Sequence, residues 1–221
     1  MRKVTFLDGE YYHIYNRGVD KRVIFNDDKD FERFLVSMND FNSVEPIGSI
    51  YEHSFHKKSR LGNSVSKSEP KSTKKKIKPL VDFVAYCLNK NHFHFIVKQV
   101  SDRGVEKLMH RLGLGFTKYF NLRHERTGSL FQGPFQAVHI DSNEYLLYVG
   151  AYVNLNNLIH GYINSTEFRS SWGEYTGRGY GGFCKVDIIL GQYKNSGEYK
   201  KIAEQTTREI KRKRDLDHLE T

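Results

Sequence analysis

The stretch Leu80-Val81-Asp82-Phe83-Val84-Ala85-Tyr86-Cys87-Leu88-Asn89-Lys90-Asn91-His92-Phe93-His94-Phe95-Ile96-Val97-Lys98 decides the fold. An apolar, β-branched run meets the polar turn Asn89-Lys90-Asn91 and is followed by a second such run, which predicts two strands joined as a hairpin. Along the second strand the side chains alternate between faces, so Phe93 points into a core while His92 and His94 leave the opposite face, about 7 Å apart at Cα. Two imidazoles placed this way can chelate one divalent ion. Taken alone, a His-x-His pair more often marks two partly exposed strand histidines with ordinary hydrogen bonds.

Working outward, Tyr11, Tyr12, Ile14 and Tyr15 predict a strand over residues 10–16, ended by Asn16-Arg17-Gly18. Phe31, Phe34, Leu35, Met38 and Phe41 recur at helical steps after Asp27-Asp28, and a weak strand pattern covers 48–53. Beyond the hairpin, Val105, Leu108, Met109, Leu112, Phe116, Tyr119 and Phe120 mark one face of a long helix interrupted in pattern by Gly113 and Gly115. Residues 130–140 read as an edge strand because Pro134 lacks an N–H for a ladder bond. Asp141 with Glu144 predicts a capping box and a helix to about Asn157; residues 172–183 read as loop, and 185–190 and 196–219 as helices. The order strand, helix, strand, strand, helix, strand, helix predicts an α+β domain, an antiparallel sheet with helices packed on one face and the other face free for a ligand.

The 221 residues include 38% hydrophobic and 14% aromatic side chains, enough for a packed core, and contain no apolar run of membrane-spanning length. The formal charge of +9 points to a polyanionic partner. Most of that excess is local. Residues 57–78 hold nine cations and one acid, so removing them takes 35 cations to 26 and 26 acids to 25, a remainder of +1. This segment reads as a solvated, flexible basic insertion in preference to a dedicated nucleic-acid arm. A binding surface on the folded body then needs local patches such as Arg103, Lys107, Arg111 and Lys118. Cys87 and Cys184 support neither a disulfide framework nor a zinc site, and the N-terminus lacks the apolar stretch of a secretory signal, so a cytoplasmic location is expected.

Tyr148, Tyr152 and Asn156 are spaced by four, which stacks them on one face of the predicted helix. A tyrosine can act as a nucleophile toward phosphorus, and an amide oxygen one turn away can complete a metal's inner shell. Core packing is the preferred reading for Tyr148.

Tyr12-His13-Ile14-Tyr15-Asn16-Arg17-Gly18, Asn91-His92-Phe93-His94, Gly128-Ser129-Leu130-Phe131-Gln132-Gly133 and Tyr152-Val153-Asn154-Leu155-Asn156 occur in this order. The pattern resembles the single-tyrosine HUH transposases (IS200-like), and most nearly their REP-associated branch. The resemblance covers about residues 11–157. It implies a ferredoxin/RRM-like HUH domain over 1–160 with a loop-rich and helical extension over 161–221. It also implies a metal-dependent endonuclease and strand transferase for single-stranded or hairpin DNA. His92, His94 and Asn156 would hold Mg²⁺ or Mn²⁺, and Tyr152 would attack the scissile phosphate to give a 5′-phosphotyrosine. His13, Asn16 and Arg17 would lie near DNA. The sequence departs from the family at Asn89-Lys90 (commonly Met-Pro), at Pro134 (commonly Arg) and at Asn157 (commonly Pro).

A base for the Tyr152 proton is not marked; water and His139 are both open. So are monomer and homodimer. Competing readings are a non-catalytic DNA-binding derivative, a two-tyrosine enzyme using Tyr148 as well as Tyr152, and a metal-dependent hydrolase, which would need further His or Asp ligands.

Overall fold

The structure, a computed structural model, describes residues 4–45, 78–177 and 182–217, with side chains to Arg214. The weak strand pattern at 48–53 and all of the basic insertion except Lys78 lie outside the described residues.

The hairpin forms as expected: β2 (Val81–Asn89) pairs antiparallel with β3 (His92–Gln99) across the turn Lys90-Asn91. β1 (Tyr11–Arg17) takes the other edge of β3 in a register that sets Tyr15 opposite His94 and Arg17 opposite His92. β4 (Gln136–Ile140) flanks β1 and β5 (Phe168–Ser170) flanks β2, giving a five-stranded antiparallel sheet in the order β4-β1-β3-β2-β5. The fold is α+β.

One face carries α1 (Asp28–Asp40) and α2 (Gly104–Arg123). Asp27 starts α1 by accepting the Asp30 N–H at 3.2 Å. The two helices and the sheet close over a phenylalanine-rich core, in which Phe34 meets Phe116 edge-on at 4.7 Å and Phe93 stacks on Phe95 at 4.7 Å. α2 runs unbroken through Gly113 and Gly115, and packing explains the second glycine: a Cβ on Gly115 would come within 2.7 Å of the Phe41 ring.

The second face is not wholly open. α3 (Asn143–Asn154), α6 (Asp187–Leu190) and α7 (Ser196–Asp217) cover its β2 side through Val84, Ala85, Cys87, Ile96, Leu146, Val149, Val153, Ile189, Tyr199 and Ala203. Helices therefore lie on both faces, and only the histidine end of the second face stays accessible. A register shift between Phe83 and Ala85 inserts Val84 as a bulge. That extra residue lets Phe83, Tyr86 and Leu88 serve the first core while Val84, Ala85 and Cys87 serve the second.

Three boundaries differ from the sequence reading. Ser142, not Asp141, caps α3, accepting the Tyr145 N–H at 3.2 Å, so the Asp141–Glu144 box does not form. The helix expected to reach Asn157 breaks at Leu155 (φ −115°, ψ 20°) and resumes as the short α4 (Asn156–Ile159). β4 begins after Pro134, and of the preceding residues only Phe131 bridges to Gly18. Inside the stretch read as loop, α5 (Trp172–Tyr175) forms. No helix among the described residues is long and apolar enough to cross a membrane.

Candidate active site

Pleat and register gather the candidate residues. His13, Tyr15 and Arg17 of β1 share a face with His92 and His94 of β3, since Tyr15 pairs with His94 and Arg17 with His92. All of these except His13 open onto a cleft of about 630 Å³ that is also lined by Asn16, Lys21, Asn91, Gln132, Gln136, Tyr152, His160, Tyr162 and Arg214.

Hydrogen bonds at Nδ1 orient both candidate ligand histidines. His94 Nδ1 lies 2.9 Å from His13 Nε2, both rings being buried; donation by His94 Nδ1–H leaves its Nε2 with a lone pair. His92 Nδ1 donates to the Asn91 side-chain oxygen at 2.6 Å, which likewise fixes Nε2 as the lone-pair nitrogen. That Nε2 is 3.1 Å from Asn156 Oδ1, and the two acceptors are held together by the Asn89 amide, whose hydrogens reach His92 Nε2 at 2.9 Å and Asn156 Oδ1 at 2.8 Å. With Oδ1 committed in this way, the buried Asn156 Nδ2 is left without a hydrogen-bond partner. An unsatisfied buried amide hydrogen costs about 1–3 kcal/mol, so the orientation of this amide is maintained against its own hydrogen bonding.

Burial holds every histidine here in the neutral form. His13 and His92 are pushed down to about 4, and His94 well below the usual imidazole range, by desolvation. Neutral imidazoles with fixed tautomers are what metal ligation requires. Among the described residues no group of three His, Cys, Asp or Glu side chains is arranged to hold a metal ion; the oxygen nearest His92 Nε2 is that of the Asn156 amide. Two imidazole nitrogens and the Asn156 oxygen form a donor set that fits a divalent cation such as Mn²⁺ or Mg²⁺.

Tyr152 stands over this group. Its ring meets His94 edge-on at 5.4 Å and His13 at 5.8 Å. Burial raises its phenol above the ordinary value, while the Asn156 side chain and the Arg214 charge pull the other way. The backbone that carries Tyr152 and Asn156 is fixed by the fully buried Asn154, whose oxygen accepts from Ser171 Oγ at 2.6 Å and whose amide donates to Tyr199 Oη at 2.8 Å. Asn157 closes the following turn by donating to the Tyr162 carbonyl at 3.0 Å.

The other sequence candidates are distributed differently. Tyr148 is 48% exposed and not core, and it does not line the cleft. His139 lies on the opposite face, near Glu10 (2.9 Å) and the Tyr12 ring, and so cannot reach the Tyr152 proton. Asn16 does line the cleft, and its amide donates to the Gly133 carbonyl at 3.2 Å. Arg103, Lys107 and Lys118 line a separate groove between α2 and residues 129–135; Arg103 pairs with Glu106 and Lys107 with Asp102. Arg111 is turned inward onto the Phe41 and Ser43 carbonyls.

Sequence reasoning missed Asn89, Asn91, His160, Tyr162 and Arg214. Asn89 and Asn91 flank His92 and were legible as amides beside a candidate ligand; the other three come from beyond the break at Leu155 and carry no local signal.

No protein-family model and no curated protein matches the chain. Among solved structures, a REP-associated tyrosine transposase bound to a REP hairpin aligns over 85% of this chain and 89% of its own, with a TM-score of 0.48 and 11% identity.

Proposed function

We propose that this protein is a metal-dependent endonuclease and strand transferase for single-stranded DNA, acting through a phosphotyrosine on Tyr152. The observation that carries this reading is the edge-on approach of the Tyr152 ring to His94, beside His92 and Asn156, in a cleft bordered by Arg17, Lys21 and Arg214 and, among the described residues, lined by no Asp or Glu. A cation-rimmed cleft without carboxylates favours a phosphodiester.

His92, His94 and Asn156 would hold the metal, which supplies Lewis-acid stabilisation of charge on the phosphate and the departing oxygen. The chain's own residues do the rest. Asn91, Asn89 and His13 fix the tautomers and the amide orientation, and Tyr152 presents its oxygen once its proton has passed to water. Attack converts a phosphodiester into a phosphotyrosine of similar bond energy, so a 3′-hydroxyl can reverse the step and rejoin DNA. The hairpin-flanked single strand is the substrate we infer.

Incubation of labelled hairpin-flanked oligonucleotides with protein and Mn²⁺ is expected to trap a covalent adduct mapping to Tyr152. An adduct that persists in Tyr152→Phe overturns the assignment. His92→Ala is expected to abolish the adduct while leaving DNA binding within a few-fold, and that outcome also separates an enzyme from a purely DNA-binding derivative.

A further inference from the structure

The last described turn of α7 delivers one side chain to the cleft. Arg214 lines it together with Tyr152, His92 and His94. Its Nη1 is 3.3 Å from the Ile159 carbonyl oxygen and 3.3 Å from His160 Nδ1, so the guanidinium is anchored on the segment that follows Asn156. His160 accepts this hydrogen bond as a neutral ring, its pKa lowered to about 4 first by burial, with the neighbouring His92 and the Arg214 charge acting in the same direction.

Two features argue that the charge is meant for an anion. Among the described residues no carboxylate pairs with Arg214, although Lys90, Arg103, Lys107, Arg123 and Arg169 all have one. Among the described residues the cleft lining also offers none, and with Arg17 and Lys21 on its rim it concentrates positive potential beside neutral histidines. The helix that carries Arg214 is held elsewhere, through the buried Tyr199, Ala203 and Thr207, so the side chain is presented from a rigid element.

We propose that Arg214 is a further catalytic residue, binding the non-bridging oxygens of the phosphate that Tyr152 attacks. The proposal rests on the reading of Tyr152 as nucleophile. Nη1 faces Ile159 and His160, which leaves Nη2 and Nε to form a fork on phosphate. In the step itself the Tyr152 oxygen–phosphorus bond forms and the phosphorus–O3′ bond breaks. The phenolic proton leaves to water, and the 3′-oxygen departs with the bonding pair and takes a proton from water. No net oxidation or hydrolysis occurs. Charge accumulates on the non-bridging oxygens during the exchange, where a guanidinium stabilises it more than in the ground state. The segment after residue 160 thereby contributes to the chemistry and not only to the scaffold.

The test compares Arg214→Gln, Arg214→Lys and wild type on a phosphodiester and on a methylphosphonate at the scissile position, in single turnover with Mn²⁺. On the phosphodiester, Arg214→Gln is expected to slow adduct formation about 10²–10³-fold with oligonucleotide affinity within about threefold, and Arg214→Lys to recover part of the loss. On the uncharged methylphosphonate the Gln penalty is expected to shrink below about tenfold. Lys201→Gln, an exposed charge change on the same helix, serves as the control and should match wild type. An unchanged rate for Arg214→Gln on the phosphodiester overturns the proposal, as does an equal penalty on both substrates, which would mark Arg214 as a tether for the helix end. Failure of the wild type to form any adduct overturns the nucleophile reading and this inference together, whereas a wild-type adduct with no Arg214 effect removes the inference alone.

Discussion

His13 Nε2 and His94 Nδ1 lie 2.9 Å apart in a hydrogen bond between adjacent strands, and their rings lie nearly parallel with centroids 5.1 Å apart. The bond leaves His94 with a single free nitrogen and a fixed ring plane. His13 is then a positioning residue: it need not touch metal or substrate to matter. Loss of such an outer hydrogen bond typically costs about 10–100-fold in metal affinity. His13→Phe is therefore expected to weaken Mn²⁺ binding by that factor, read by calorimetric or magnetic-resonance titration in the presence of oligonucleotide. Wild-type affinity in the variant would mean that the pair only fills space.

The rate of adduct formation is expected to climb with pH. Tyr152 is held above the ordinary phenol value, chiefly by burial. Below that pKa the phenolate fraction rises tenfold per pH unit, so the logarithm of the single-turnover rate should rise with slope near 1 from about pH 6 to pH 9. The histidines do not oppose this trend, because His13 and His92, at about 4, are neutral throughout that range. A flat profile would place a step other than Tyr152 deprotonation in control.

Acid should destabilise the fold through the same histidines. Their folded-state pKa values are depressed, to about 4 for His13 and His92 and well below the usual imidazole range for His94, whereas the unfolded chain titrates near the ordinary 6.5. Between those limits the unfolded state binds more protons, so this contribution is complete above about pH 6.5 and is lost as pH falls toward 4. Urea midpoints measured at pH 7, 6, 5 and 4.5 should fall monotonically, and His13→Phe should flatten the slope.

How much of this was legible in the sequence follows from the range of the forces involved. The strand pleat is local, so His92 and His94 on one face, with Phe93 in the core, could be read from the alternation alone. The near-continuous apolar run from Val81 to Leu88 carried a further message, that β2 is covered on both faces, because a strand with one wet face alternates. Arg214 was not legible. It sits in the run Lys211-Arg212-Lys213-Arg214, where the member that points inward depends on how α7 docks on α3, and that docking is set by Tyr199 meeting Asn154 some 45 residues away in sequence. The break at Leu155 was likewise hidden, since Leu favours helix continuation and the break comes from the tertiary placement of Asn156.

The Asn154 junction should behave as a structural unit. Asn154→Ala removes the donor to the buried Tyr199 Oη and the nearer acceptor of Ser171 Oγ, which keeps the Tyr86 carbonyl at 3.2 Å as an alternative. A buried group left without its partner costs about 1–3 kcal/mol, which predicts a loss of about 1–3 kcal/mol in urea unfolding, carried mainly by Tyr199. A loss under 1 kcal/mol would show that the surroundings relax to satisfy Ser171 and Tyr199 by other means.

Gly150 sets how closely α3 approaches α6, and with it the height of Tyr152 above the sheet. A Cβ at this position would stand 2.7 Å from Ile189 Cδ1, a contact that side chains essentially never make. Gly150→Ala gains helix propensity worth about 1 kcal/mol, yet the overpacking it introduces costs about 1–3 kcal/mol, so the net effect is destabilising or near neutral. The two terms can be separated, because the obstructing atom is one terminal methyl. Ile189→Val deletes that methyl, and in its presence Gly150→Ala should become stabilising, giving a coupling energy of about 1–2 kcal/mol in a double-mutant cycle. Adduct formation should follow the same pattern if helix position governs Tyr152: slowed in Gly150→Ala and restored in the double variant. Independent, additive effects of the two substitutions would show that the helices move apart without constraint, and that the approach of α3 to α6 does not position the tyrosine.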